Sequence, residues 1–204
     1  MKERYLDDLK EIKTIMNRSS RPVSLSGYSG IATGITALVG VTAAHYYIFR
    51  YHDLKEVLPE DLPLHHMLLL LLIATGTLII ATAAAIFFTN RNNREERDRL
   101  WGVQARRLLT ALLVPLVSGG LLCLILLFKG NISILPGLTL IFYGLGLISA
   151  GRFTQTEIRS LGFAEIVLGL LAVLIPAYSV VIWALGFGIL HIIYGFMVQW
   201  NTKA

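Results

Sequence analysis

Apolar residues run along this chain in six long stretches separated by short polar or charged segments. They cover about residues 23–49, 64–89, 108–128, 132–150, 161–177 and 179–200. Runs near 20 residues match a hydrocarbon core about 30 Å thick. Lipid offers the backbone no hydrogen-bond partner, so each run predicts a membrane-spanning helix. The turns at Lys129-Gly130-Asn131 and around Pro176-Ala177-Tyr178 are very short and predict antiparallel helical hairpins. The expected fold is all-α: a polytopic domain over residues 22–204 with six transmembrane helices in three hairpins.

The pattern changes in residues 1–21. Tyr5, Leu9, Ile12 and Met16 recur at helical spacing, Leu6 and Ile15 flank them, and Lys, Arg, Asp and Glu fill the other face. This predicts an N-terminal amphipathic cytoplasmic helix, lying on the membrane or packed on another cytoplasmic helix and ended by Pro22. The opening segment has no early apolar h-region, so no cleavable signal peptide is expected and the first span acts as its own insertion signal.

Composition supports the membrane reading. Hydrophobic residues make up 55% of the 204 and charged residues 15%, where a soluble domain needs roughly 25% charged residues to cover its surface. The single cysteine, Cys123, lies in an apolar run, so no intramolecular disulfide is possible.

The lysines and arginines orient the chain. Fifteen of the 18 fall before the first span, between the second and third, between the fourth and fifth, and after the sixth; Arg50, Lys55 and Lys129 alone fall on the other side. The positive-inside rule then places both termini in the cytoplasm. Arg91, Arg94, Arg97, Arg99, Arg106 and Arg107 are expected to face anionic lipid headgroups, each attraction being about 1 kcal/mol. They alternate with Glu95, Glu96 and Asp98, and a charge pattern explained by topology predicts no nucleic-acid partner.

Small residues mark where helices approach each other. Ser26, Gly30 and Gly34 share a face, as do Gly137, Gly144 and Gly151; Gly162, Gly169 and Ala172; and Ala184, Gly188 and Gly195. Packing within one chain is the expected use of these faces, and a homo-oligomer through the Ser26-Gly30-Gly34 face is the alternative. There is also a faint internal echo: VSGGLLCLILL resembles IVLGLLAVLI, and FYGLGLI resembles WALGFGIL, as a duplicated hairpin would give.

Few polar residues lie inside the spans. Glu165 is the only acid well inside one, and His191 the only deep histidine. Each falls on a small-residue face. They lie 12 residues before and 14 residues after Ala177, hence nearly level in depth at about 1.5 Å per residue. They are expected to form an intramembrane pair that Tyr194 and Tyr143 could extend. Such a pair serves as a proton relay, an ion or substrate site, or a structural lock. At the outer side His45, His52, His65 and His66 lie near Asp53, Glu56, Glu60 and Asp61. Histidine and carboxylate ligate zinc, iron or copper, but no fixed ligand spacing is present. No cofactor is predicted, and a metal at these histidines is the option they leave open. Tyr46, Tyr47, Tyr51 and Trp101 read as interfacial anchors. Walker A, GxSxG and dinucleotide-binding motifs are absent.

The segments KERYLDDLKEIKTIMNRSS, EIRSLGFAEIVLGLL and LGFGILHIIYG resemble a group of small six-span bacterial inner-membrane proteins with no assigned activity, over nearly the whole chain. Some members carry a carotenoid-cleaving oxygenase label, which would imply iron held by a histidine cluster; this chain lacks a clear matching motif. Three function classes follow. The first is a noncatalytic module that senses or binds lipid or a cytoplasmic protein partner. The second is a small transporter or channel using Glu165 and His191. The third is a metal-dependent membrane enzyme using the outer histidines. The first is preferred, so the chain is expected not to be an enzyme.

Overall fold

The computed structural model describes residues 26–49, 63–92, 103–154 and 156–201. The amphipathic helix expected over residues 1–21 lies outside them. So do His52, Arg94, Arg97, Arg99 and the acids between the first two spans. The described residues are mostly helical, joined by short turns, with no strand among them. Helix α1 (Gly27–Ala44) continues into a π-helical turn, His45–Phe49. Helices α2 (Leu64–Asn92), α3 (Val103–Phe128), α4 (Leu135–Ala150) and α5 (Thr156–Leu174) follow. A 3₁₀ turn, Pro176–Tyr178, leads into α6 (Ser179–Trp183), a π-helical stretch Ala184–Leu190, and α7 (His191–Asn201).

Helical rods thus cover all six apolar runs, with ends within a few residues of those expected. Four are long and apolar enough to cross a membrane: Gly27–Ile48, Leu64–Arg91, Ala105–Phe128 and Pro176–Trp200. Helix α4 is apolar but has 16 residues, about 24 Å, short of the roughly 30 Å core. Helix α5 carries Glu157, Arg159 and Glu165 within 19 residues.

Helix α4 packs most extensively on α5, and α1 runs along both α7 and the π-helical stretch. Helices α3 and α2 flank these pairs on the far sides of α4 and α1. Among the described side chains of α2 only Thr89 is buried. Many of its large apolar side chains, such as Leu72, Leu78 and Ile79, are exposed, while Met67, Leu69, Leu70 and Ile73 pack on Ala44, Ile48, Leu127 and Ile132.

Glycine sets the two inner seams. A Cβ added at Gly144 would meet the carbonyl oxygen of Gly162 at 2.5 Å, and one at Gly162 would meet that of Gly144 at 2.8 Å. Gly137 and Gly169 stand in the same relation at 2.7 and 2.8 Å. On the other seam, Gly34 would meet the Gly188 oxygen at 2.5 Å, and Gly195 the Gly27 oxygen at 2.5 Å. In each case the carbonyl lies where a methyl group would stand, so only glycine allows this approach. Gly30 and Gly34 face α7 of the same chain. The face considered for a homo-oligomer thus makes contacts within the chain.

Behind these contacts lies one octapeptide used four times. GYSGIATG (27–34), GLTLIFYG (137–144), GFAEIVLG (162–169) and GILHIIYG (188–195) all read G-x-x-Z-I-x-x-G. The isoleucine has a fixed duty. Ile31, Ile141, Ile166 and Ile192 each put Cγ1 against a glycine of the partner helix: Gly195, Gly169, Gly144 and Gly34 respectively.

Candidate buried polar site

The variable Z position of the octapeptide holds Gly30, Leu140, Glu165 and His191. It lies three residues after one glycine and four before the next. At 3.6 residues per turn it points roughly 50° away from the glycine seam, toward the next helix in the bundle. Leu140 and Glu165 have no exposed surface and His191 is 3% exposed. The structure therefore refines the expectation that Glu165 and His191 share their faces with the glycines. Gly162 and Gly169 approach α4, and Gly188 and Gly195 approach α1, while Glu165 and His191 turn toward each other.

His191 Nδ1 lies 3.3 Å from Glu165 Oε1 and 3.1 Å from the Gly186 carbonyl oxygen. That carbonyl only accepts, which assigns a proton to Nδ1. Tyr143, from α4, lies with its hydroxyl 2.8 Å from Nε2 and donates to it in the neutral tautomer. The imidazole is thus held at both nitrogens. The carboxyl group is not: neither Glu165 oxygen has a hydrogen-bond partner. A Cβ at residue 186 would stand 2.6 Å from Glu165 Oε2 and 2.6 Å from Leu140 Cδ2. The missing side chain of Gly186 is what lets the carboxyl group fit.

An unpaired carboxylate in an apolar interior is too costly to persist. The pair is neutral only with one proton beyond a bare carboxylate and a neutral imidazole, carried by Glu165 or by His191. A neutral pair therefore has one such proton between the two side chains.

An aromatic wall supports it. Trp183, Phe187 and His191 are spaced four residues apart, and ring centroids lie 4.8 Å (Trp183–Phe187), 5.9 Å (Phe187–His191) and 4.9 Å (Tyr143–Phe187) apart. The Trp183 indole donates to the Thr139 hydroxyl at 3.0 Å, and that hydroxyl donates to the Pro136 carbonyl at 2.8 Å. Tyr194 packs with Tyr143 on Leu147, Ile158 and Leu161, and its hydroxyl is buried without a partner. The π-helical stretch Ala184–Leu190 passes directly over the carboxyl group. Segments of that kind are rare and concentrate at functional sites.

The other candidates are not brought together in this way. His45 and His65 are exposed and His66 is half-buried. The rings of His65 and His66 lie 4.1 Å apart, yet among the described residues no three His, Cys, Asp or Glu side chains gather as metal ligands. Arg91, Arg106 and Arg107 are exposed. The contributions of Gly186, Thr139 and Trp183 are not apparent from polar-residue depth alone. The repeated octapeptide is the signal in the sequence that picks out the inward-facing positions. No protein family, curated protein or solved structure matches this chain.

Proposed function

We propose that this chain is a small six-span protein of a bacterial inner membrane, with cytoplasmic termini, that binds and releases a proton at Glu165–His191 during transport or conduction. The carrying observation is that Glu165 is wholly buried while both its oxygens lack a hydrogen-bond partner. A purely structural lock would satisfy the carboxyl group, because an unsatisfied buried polar group costs about 1–3 kcal/mol. A group that must take up and give up a proton instead sits beside a base that shares it, as His191 does. The four long apolar helices support the membrane setting. The short turns at either end of α4 and α5 suit two further crossings, and the resemblance to small six-span proteins belongs to the same proposal.

The test is proton uptake by the purified protein in liposomes that contain a pH-sensitive dye, under an imposed potential. Uptake is expected from the wild type and not from Glu165→Gln. Equal flux from the two would sink the proposal. A second reading, a noncatalytic lipid-binding module, is favoured by exposed Arg91, Arg106 and Arg107. It predicts that charge removal at these three abolishes binding to anionic vesicles while leaving Glu165 without any proton-linked signal.

A further inference from the structure

We infer that the Gly186 carbonyl couples the proton state of the site to the backbone: it holds the His191 Nδ1–H while Glu165 is protonated and gives it up when Glu165 is ionised. This rests on the proton-binding reading above and adds the residue through which that proton acts on the last span.

One hydrogen faces two acceptors. His191 Nδ1 is 3.1 Å from the Gly186 oxygen and 3.3 Å from Glu165 Oε1. Only the first contact is a hydrogen bond, since neither carboxyl oxygen has a partner. That arrangement suits a protonated Glu165, whose neutral oxygens are weaker acceptors than those of a carboxylate. Removing the proton reverses the preference. A hydrogen bond to a carboxylate is roughly twice as strong as one between neutral groups, and Nδ1–H is the donor beside the new charge. The nearly equal distances mean that a small turn of the ring moves the hydrogen from one acceptor to the other. The same holds if the proton moves to Nε2, because imidazolium and carboxylate then attract each other across this contact. Nδ1 keeps its hydrogen throughout. Its acceptor changes, and the proton that departs is the one on Glu165.

The exchange reaches the backbone because one of the two acceptors is a main-chain oxygen. Gly186 belongs to the π-helical stretch Ala184–Leu190, which His191 follows. His191 ties that stretch twice, through its side chain to Gly186 and through its backbone N–H to the Gly188 oxygen. The Gly188 oxygen is the atom that a Cβ at Gly34 would meet at 2.5 Å. The carbonyl that responds to the proton and the carbonyl at the α1 seam therefore lie in one turn. Gly186 is buried, so an oxygen that loses its donor there is an unsatisfied acceptor, and the backbone gains by moving to pair it. The groups facing the imidazole are Tyr143 from α4, whose hydroxyl lies 2.8 Å from Nε2, and Glu165 from α5. Tyr194, on the same helix as His191, packs beside Tyr143. The other titratable side chains on α1, α4 and α5 are exposed Tyr28, half-buried Glu157 and exposed Arg159, and α6 and the π-helical stretch carry none.

Solid-state NMR of the full chain in liposomes tests the coupling. Carbonyl-¹³C glycine with ¹⁵N-phenylalanine marks the bonds Gly162–Phe163, Gly186–Phe187 and Gly195–Phe196. Phe163 and Phe196 are exposed, so Phe163→Leu with Phe196→Leu isolates the Gly186 signal without touching the site. Carboxyl-¹³C glutamate, read through its cross-peak with ¹⁵N-labelled His191 Nδ1, follows Glu165. As pH rises, the Gly186 carbonyl is expected to shift upfield, the direction of a lost hydrogen bond, with the same midpoint as the Glu165 carboxyl. In Glu165→Gln it is expected to keep its low-pH position throughout. A Gly186 signal that stays fixed while Glu165 titrates would overturn the coupling and leave proton binding intact, and so would one that still shifts in Glu165→Gln. A Glu165 carboxyl that does not respond to pH would overturn both. The comparison of midpoints leaves Glu165 and His191 unchanged, so it decides the matter even if the glutamine variant does not fold.

Discussion

The α4/α5 pair and the α1/α7 pair are built alike and differ in what they carry. Both are antiparallel, both are closed by two glycines per helix seven residues apart, and both set isoleucine Cγ1 atoms against the opposing glycines. Their Z positions are Leu140 and Glu165 in one pair, Gly30 and His191 in the other. The seams are apolar and tight, whereas the contact of α5 with α6 and α7 is much less extensive than that of α5 with α4. The chemistry sits at that thinner junction. Backbone proximity and chemistry are therefore assigned to different positions of one repeated motif. The glycines cannot vary without parting the helices, and the Z residue can vary because it faces another helix.

The largest expected effect comes from breaking either seam. Gly144→Val and Gly34→Val each force a side chain onto a backbone carbonyl, and overpacking of this kind costs about 1–3 kcal/mol or more. Both should lower the monodisperse fraction on size exclusion by a similar amount. If only one does so, the two seams are not equivalent.

A second test separates scaffold from chemistry. Glu165→Leu with His191→Leu turns both Z positions apolar, as Leu140 already is. Replacing a buried ionisable pair by apolar groups is often neutral or stabilising by about 1–4 kcal/mol, so the melting temperature should hold or rise while proton uptake disappears. His191→Leu alone should be worse than the double variant, since it strands Glu165. A double variant that fails to fold would make the pair a structural lock.

A smaller loss is expected from Tyr143→Phe. It removes one hydrogen bond to Nε2, about 1 kcal/mol, read as a fall in melting temperature. The smallest effect is expected at Gly76 and Gly120, where an added Cβ meets nothing within 4 Å. Alanine there should change the melting temperature little or raise it slightly, by up to about 1 kcal/mol from helix propensity. Destabilisation at either would mean that α2 or α3 has a neighbour beyond this chain.

Much of this architecture is legible in the sequence because a long apolar run leaves so little choice of form. An apolar run of about 20 residues has to be helical, and rods cover all six such runs. Counting residues from the turn at Ala177 places Glu165 and His191 near one depth, and their side chains lie 3.3 Å apart. Direction around each helix is harder to read. A small-residue face is broad enough to hold both the glycine seam and a polar side chain some 50° away, so Glu165 and Gly162 look alike until the neighbours are known. The π-helical stretch is hidden for a related reason. Ala184–Leu190 is as apolar as its surroundings, and nothing in its composition distinguishes a wider turn from an ordinary one. The amphipathic helix over residues 1–21 and His52 fall outside the described residues.

That stretch has one more consequence. A π turn holds one residue more than an α turn, so it takes up an extra residue and leaves the helix on either side close to its ordinary register. Before it, Trp183 keeps its bond to Thr139; after it, Gly195 keeps its place on α1. Deleting one residue between 184 and 190 would therefore restore an ordinary helix and leave both ends on their neighbours. What would change is the path of the backbone over the carboxyl group, where Gly186 now leaves room for it.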